Sequence, residues 1–151
     1  MILVAFSHGL RATEVIDIIK DDLADGKLDV HRLKGSYRTV QPLVEHELEL
    51  LNEKKALLEF TRNLAGNQRL FPVTRQTFWN IMRRHCETAS IPIRLAHPHT
   101  LKHTTAMQSI HLAGIENVRR YLGHKSMAST GEYLKVSDEE ASAHVQRALK
   151  G

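Results

Sequence analysis

Apolar residues recur every three or four positions along most of this chain and alternate with polar ones in only one stretch. Met1 to Ser7 reads as the end of a helix stopped at Gly9, a residue type that ends helices readily. So abrupt a start suggests that the chain opens partway through an element. Thr13 is placed to cap a short helix whose apolar stripe is Val15, Ile16, Ile18 and Ile19. The period then changes to two. The stretches Leu28-Asp29-Val30-His31-Arg32-Leu33 and Arg38-Thr39-Val40-Gln41-Pro42-Leu43 each alternate in character around Gly35-Ser36, the pattern of a β-hairpin. Helical spacing returns from Glu45 to Leu64 and from Thr74 to Ala89, the latter with Thr74 as N-cap. Pro98 suits the first turn of a helix running to Gly114, and short helices follow over Glu116–Leu122 and Ala128–Val136. Ser137 precedes Glu140 by three residues, the spacing of a capping box, so a last helix begins there. The expected fold is mainly α with a small antiparallel β-hairpin or sheet. Its expected core includes Leu10, Val15, Ile18, Leu101, Leu112, Val118 and Leu122.

Composition adds bounds rather than elements. The 151 residues amount to a single domain, with 42% hydrophobic and 25% charged residues, as in an ordinary globular chain. Cys86, the only cysteine, has no internal partner, which suits a reducing compartment and a cytoplasmic location. Met1–Phe6 lacks the basic flank of a signal peptide, and no stretch approaches the roughly 20 apolar residues of a membrane span. The net charge of +4 favours phosphate-rich partners, since neutralised phosphates release counterions, although many basic proteins touch no nucleic acid.

Basic and nucleophilic residues gather in four segments. They are His8-Gly9-Leu10-Arg11-Ala12-Thr13-Glu14, Leu33-Lys34-Gly35, His97-Pro98-His99-Thr100-Leu101-Lys102-His103, and Leu122-Gly123-His124 with Tyr133 beyond it. Cleaving a phosphodiester through a covalent intermediate needs a nucleophile, cations around the phosphorane and an acid for the leaving 5′-hydroxyl. Tyrosine supplies the first, and Arg, Lys and His the rest, without a metal or other cofactor. His99 and Lys102 are three apart on the expected helix and share a face. Singly, each residue has a duller reading: Arg11 and Lys34 as solvated surface cations, Tyr133 as a packing residue, His8, His97 and His111 as structural. His99 and His103, four apart, have the spacing of a zinc pair but no evident third ligand.

In order and spacing the four segments resemble the tyrosine recombinase, or phage integrase, family over nearly the whole chain. They match its Gly-Leu-Arg box, hairpin lysine, His-x-x-Arg box, Leu-Gly-His segment and the tyrosine nine residues later. The stretches Arg-Leu-Lys-Gly-Ser-Tyr-Arg-Thr-Val-Gln-Pro-Leu around Lys34 and His-Pro-His at His99 resemble the short recombinases that invert fimbrial promoters. The resemblance implies the DNA breaking-rejoining catalytic fold and a site-specific recombinase acting on double-stranded DNA. Tyr133 would attack the scissile phosphate to give a 3′-phosphotyrosine, and Arg11 would hold the non-bridging oxygens. Lys34 would be the general acid, His99 would assist proton transfer, His124 would hydrogen-bond the phosphate, and Glu14 would support the site. It also implies a homo-tetramer on DNA, joined by exchange of the C-terminal helix, in the nucleoid of a bacterial cytoplasm.

Two departures qualify this. Lys102 stands where the family has its second arginine, replacing a planar fork by a point charge, at a cost of roughly 2.7–4 kcal/mol if one oxyanion donor is lost. The family's N-terminal core-binding domain is absent from 1–151, which predicts weak, salt-sensitive DNA affinity. Two rivals follow: a DNA-binding remnant that does not cut, and a type IB topoisomerase-like enzyme that religates the strand it cleaved.

Overall fold

The computed structural model describes residues 1–33, 35–126 and 146. Helix α1 covers Ile2–Ser7 and ends as expected at Gly9, whose φ of +56° is easy only for glycine. Helix α2 covers Ala12–Ile16, and its N-cap is Arg11 rather than Thr13. The start moves two residues back because the Glu14 carboxylate accepts the Arg11 backbone N–H at 2.8 Å.

Three antiparallel strands follow in the order β1 (Leu23–Ala24), β2 (Lys27–Val30) and β3 (Thr39–Pro42). The pair β2–β3 is the expected hairpin, with Leu28 opposite Gln41 and Val30 opposite Thr39. Strand β1 was not anticipated. It joins β2 through Asp25-Gly26, with φ values of +50° and +69°, the tight turn that an Asp-Gly pair favours.

The helix expected over Glu45–Leu64 is much shorter. A 3₁₀ turn occupies Glu49–Leu51, and helix α3 runs over Glu53–Phe60. It restarts because the Asn52 side chain accepts the Lys55 N–H at 3.0 Å. Helix α4 (Arg75–Thr88) begins at Thr74, whose Oγ1 accepts from Thr77 N. Helix α5 (Pro98–Ala113) opens on Pro98 and stops at Gly114, and α6 covers Ile115–Tyr121. The segment Ala128–Val136 and, apart from residue 146, that from Ser137 onward lie outside the described residues, as do Lys34 and Tyr133.

Two apolar clusters form. The larger gathers Val4, Leu10, Val15, Ile18, Leu28, Val30, Leu70, Phe78 and Met82, and truncating Phe78 there should cost about 3–5 kcal/mol. The smaller joins Ala106, Ile110, Val118 and Leu122 where α5 meets α6. Leu112, expected in the core, is 94% exposed, because its side of α5 meets no other described element. Two polar links join the elements of the clusters: Thr105 Oγ1 donates to Phe6 O, and Tyr121 Oη donates to Ser7 O at 2.8 Å. Among the described residues no helix is long and apolar enough to cross a membrane.

Candidate active site

The turn between α1 and α2 sets Arg11 at the head of α2, and the same short helix turns Glu14 inward. Glu14 is buried and gathers four donors. Arg11 gives its backbone N–H and its Nη1 (3.0 Å), Arg32 gives Nη1 at 3.3 Å, and Leu33 gives its backbone N–H at 3.3 Å. Burial pushes the Glu14 carboxyl upward, but the Arg11 N–H, Arg32, Lys102 and the Leu33 N–H outweigh it, so Glu14 is held below the ordinary range. One carboxylate thereby binds the arginine of the first box to the residue just before Lys34.

Arg32 is the site residue that sequence reasoning missed. Its side chain is fully buried and commits all five N–H groups. Nε donates to Thr39 Oγ1, Nη1 to Gly9 O and Glu14, and Nη2 to His8 O and Tyr121 O. A signal was present: Arg32 continues the inward parity of Leu28 and Val30.

The HPHTLKH segment splits at the surface. His99 is exposed at the start of α5, its ring edge-on to His103 with centroids 4.4 Å apart. Burial, His103 and Arg11 hold the His99 imidazole below its usual value. Lys102, on the next turn, is only 1% exposed. Its Nζ reaches Leu122 O at 3.5 Å, a long contact for a buried ammonium. Burial, with Arg32 and Arg11 nearby, lowers its pKa to about 7 against the pull of Glu14. Among the described residues no group of three or more His, Cys, Asp or Glu could hold a metal ion.

His124 follows Gly123 at the end of α6. Its N–H donates to Arg119 O, and it forms a β-bridge with Ser36 of the hairpin turn. The Gly123 carbonyl accepts from Tyr37 N at 2.7 Å, so the end of α6 closes directly on the hairpin beside Ser36. Burial, then Lys102, Arg11 and Arg32, bring His124 down to about 4, so it is a neutral hydrogen-bonding group at pH 7.

The residues predicted for the site thus converge wherever they are described. Arg11, Glu14, Lys102 and His124 lie within one another's electrostatic reach, and His99 adjoins Arg11 and Lys102. Arg11 and His99 line an open groove of about 750 Å³ together with Leu33, Arg75, Trp79 and His97. His124 faces a second groove of about 670 Å³, beside Tyr37 and Arg120.

Known proteins resemble this chain along most of its length. The phage integrase family profile matches residues 1–140. The tyrosine recombinase XerD of Pseudomonas putida is 32% identical over 152 residues, covering 91% of this chain and 49% of its own length. The type 1 fimbriae regulatory protein FimE of Escherichia coli K12 is 27% identical over 148 residues, covering 88% of this chain and 71% of its own. The chain spans about half the length of the XerD relatives it matches. Among solved structures, XerA recombinase superposes with a TM-score of 0.72 at 22% identity, covering 97% of this chain and 55% of that one. A lambda integrase dimer bound to a COC′ core site does so with a TM-score of 0.66 at 19% identity, covering 92% and 52%. Identities that low speak for the fold alone.

Proposed function

The chain belongs to the phage integrase family, and on that premise we propose that it is the catalytic unit of a site-specific DNA recombinase. The observation that carries the proposal is the gathering of Arg11, Arg32, Lys102 and His124 about the buried carboxylate of Glu14, at the edge of a groove open to solvent. Isolated cations would not stay in so tight a cluster without a counter-charge, and one carboxylate leaves net positive charge for a phosphate.

In this reading the Tyr133 oxygen attacks the scissile phosphorus, and the 5′-oxygen leaves with a proton from Lys34. Arg11 spends one N–H on Glu14 and keeps the rest of its fork for the non-bridging oxygens. His124 donates to the phosphate as a neutral imidazole, and His99 takes the tyrosine proton. The free 5′-hydroxyl of another strand then attacks the phosphotyrosine, which restores Tyr133 and joins new partners. Arg11, Lys34, His99, Lys102, His124 and Tyr133 are the catalytic set, and Glu14 supports it. Two protomers cutting one strand each to form a Holliday junction, and two more resolving it, make a homo-tetramer on double-stranded DNA, held by exchange of the segment after Ser137. Residues 1–151 act as a single catalytic domain, on DNA in the bacterial nucleoid.

One observation favours a weaker enzyme, or a remnant that binds without cutting: Lys102 is buried and presents no charge at the surface. A strand-transfer assay separates the readings. The chain is incubated with a pool of nicked duplexes carrying randomised flanks and a 5′-hydroxyl acceptor strand, and joined products are sequenced. Recombination predicts joined strands sharing one flanking consensus. Joining without a consensus is the topoisomerase-like outcome, and retarded but unjoined DNA is the remnant.

A further inference from the structure

Strand β3 inverts the alternation that its neighbour keeps. Leu28 and Val30 of β2 are buried, and so is Gln41 opposite Leu28, while Val40 beside it is 60% exposed. An amide taken into the interior in place of an available valine needs partners, and Gln41 has them at both ends. Its Nε2 donates to Tyr121 O at 2.6 Å, which turns Oε1 towards His8 Nδ1, 2.7 Å away. His8 is fully buried, as is Glu53 at the start of α3. Glu53 Oε2 lies 3.1 Å from His8 Nε2 and accepts Val44 N–H at 3.0 Å.

This cluster clamps a turn rather than a ligand. Carbonyls of all three residues from Ser7 to Gly9 are held by side chains from distant elements. Tyr121 Oη donates to Ser7 O, Arg32 Nη2 to His8 O and Arg32 Nη1 to Gly9 O. Tyr121 O in turn accepts from both Gln41 and Arg32. Arg11 follows that turn by two residues, and His124 follows Tyr121 by three. None of His8, Gln41 and Glu53 lines the groove shared by Arg11 and His99, and of the three Gln41 alone borders the groove that His124 faces.

We propose that His8, Gln41 and Glu53 are positioning residues that fix Arg11 against the end of α6 carrying His124. Packing between the two apolar clusters is non-directional and tolerates slippage, whereas a chain of oriented hydrogen bonds between them admits one register. A buried polar cluster is seldom the most stable filling of its space, so its use here is specificity of position. The inference rests on the recombinase reading of the site.

The test replaces the cluster by groups of similar size: the triple variant His8→Leu, Gln41→Met, Glu53→Gln, in which residue 53 still accepts the Val44 N–H. Gln41→Met alone is the lesser variant. Each is compared with the wild type in melting temperature, in affinity for the nicked-duplex pool, and in the rate of Tyr133-dependent covalent adduct. The expected result is an unchanged melting temperature and DNA affinity with an adduct rate lower by about 100-fold, the effect of a misplacement of about 1 Å. An adduct rate that is unchanged, or that falls only in step with folding or affinity, overturns the proposal. If the wild type itself forms no adduct, the recombinase reading has failed. The positioning is then judged from the Arg11 Nε–Hε resonance with inorganic phosphate present, and identical signals in wild type and triple variant overturn it.

Discussion

Arg32 Nη1 and Glu14 Oε2 stand 3.3 Å apart, and neither side chain is exposed. The pair joins the end of β2 to the first turn of α2, and with it the hairpin turn to Arg11. Both partners have further bonds, so the pair is fully satisfied where a lone buried ion would not be.

Removing one partner should therefore be severe. Arg32→Met is expected to lower stability by about 3–5 kcal/mol, because Glu14 and three carbonyls each lose one donor at once. Arg32→Lys should not rescue it, since one ammonium cannot span a five-donor fork. Denaturant unfolding checks this, and a loss under about 1 kcal/mol would show that water replaces the guanidinium freely.

Lys102 should trade stability against chemistry. Its folded pKa of about 7 lies below the ordinary lysine value of 10.5, so the folded state disfavours its charge. Below pH 7 that penalty is complete, and stability should rise as pH rises from about 7 towards 10.5. Lys102→Met should be more stable than the wild type at pH 6 and lose this rise. Its cleavage rate should fall about 10²–10³-fold, as when one oxyanion donor is removed. Thermal melts from pH 6 to 10 decide the first part; a wild-type profile no different from the Met variant would refute it.

His124 carries the acid-side counterpart. Its folded pKa of about 4 is below the ordinary 6.5, so the unfolded chain binds a proton first as pH falls. Its contribution is complete above pH 6.5 and is lost on the way down to about 4, by on the order of 3 kcal/mol. His124→Asn should flatten that part of the acid unfolding curve, and an unchanged slope would place the acid sensitivity elsewhere.

The close approach of α6 to the hairpin should tolerate no side chain at Gly123. Its φ is +70°, and an added Cβ would lie 2.5 Å from Tyr37 O. Gly123→Ala is expected to cost about 1–3 kcal/mol and to loosen the Ser36–His124 bridge. Slower hydrogen exchange at Tyr37 N in the variant than in the wild type would contradict this.

Several features of the fold were legible because a single residue carries each signal. Thr74 and Pro98 mark their helix starts, and Gly9 and Gly114 mark stops with positive φ. Asp25-Gly26 carries as local a signal, but the strand before it has two residues, too few to show alternation. The stretch Glu45–Leu64 misled because Leu48, Leu51 and Leu58 keep helical spacing while remaining exposed, and periodicity reports spacing rather than burial. Arg11, Glu14, Lys102 and His124 were reached through family resemblance. Arg32 was passed over because an arginine at a strand end looks solvated, although its parity points inward. That His8 and Glu53 meet, 45 positions apart, is a product of tertiary packing that no local pattern encodes.

The central claim is tested most directly by trapping the covalent intermediate. The protein is mixed with phosphorothiolate-containing duplexes, resolved under denaturing conditions, and the adduct is digested and weighed by mass spectrometry. A nucleotide on the peptide containing Tyr133, absent from Tyr133→Phe and strongly reduced in Arg11→Ala, is the predicted result. DNA that binds but forms no adduct with the wild type, or an adduct that survives Tyr133→Phe, would contradict it.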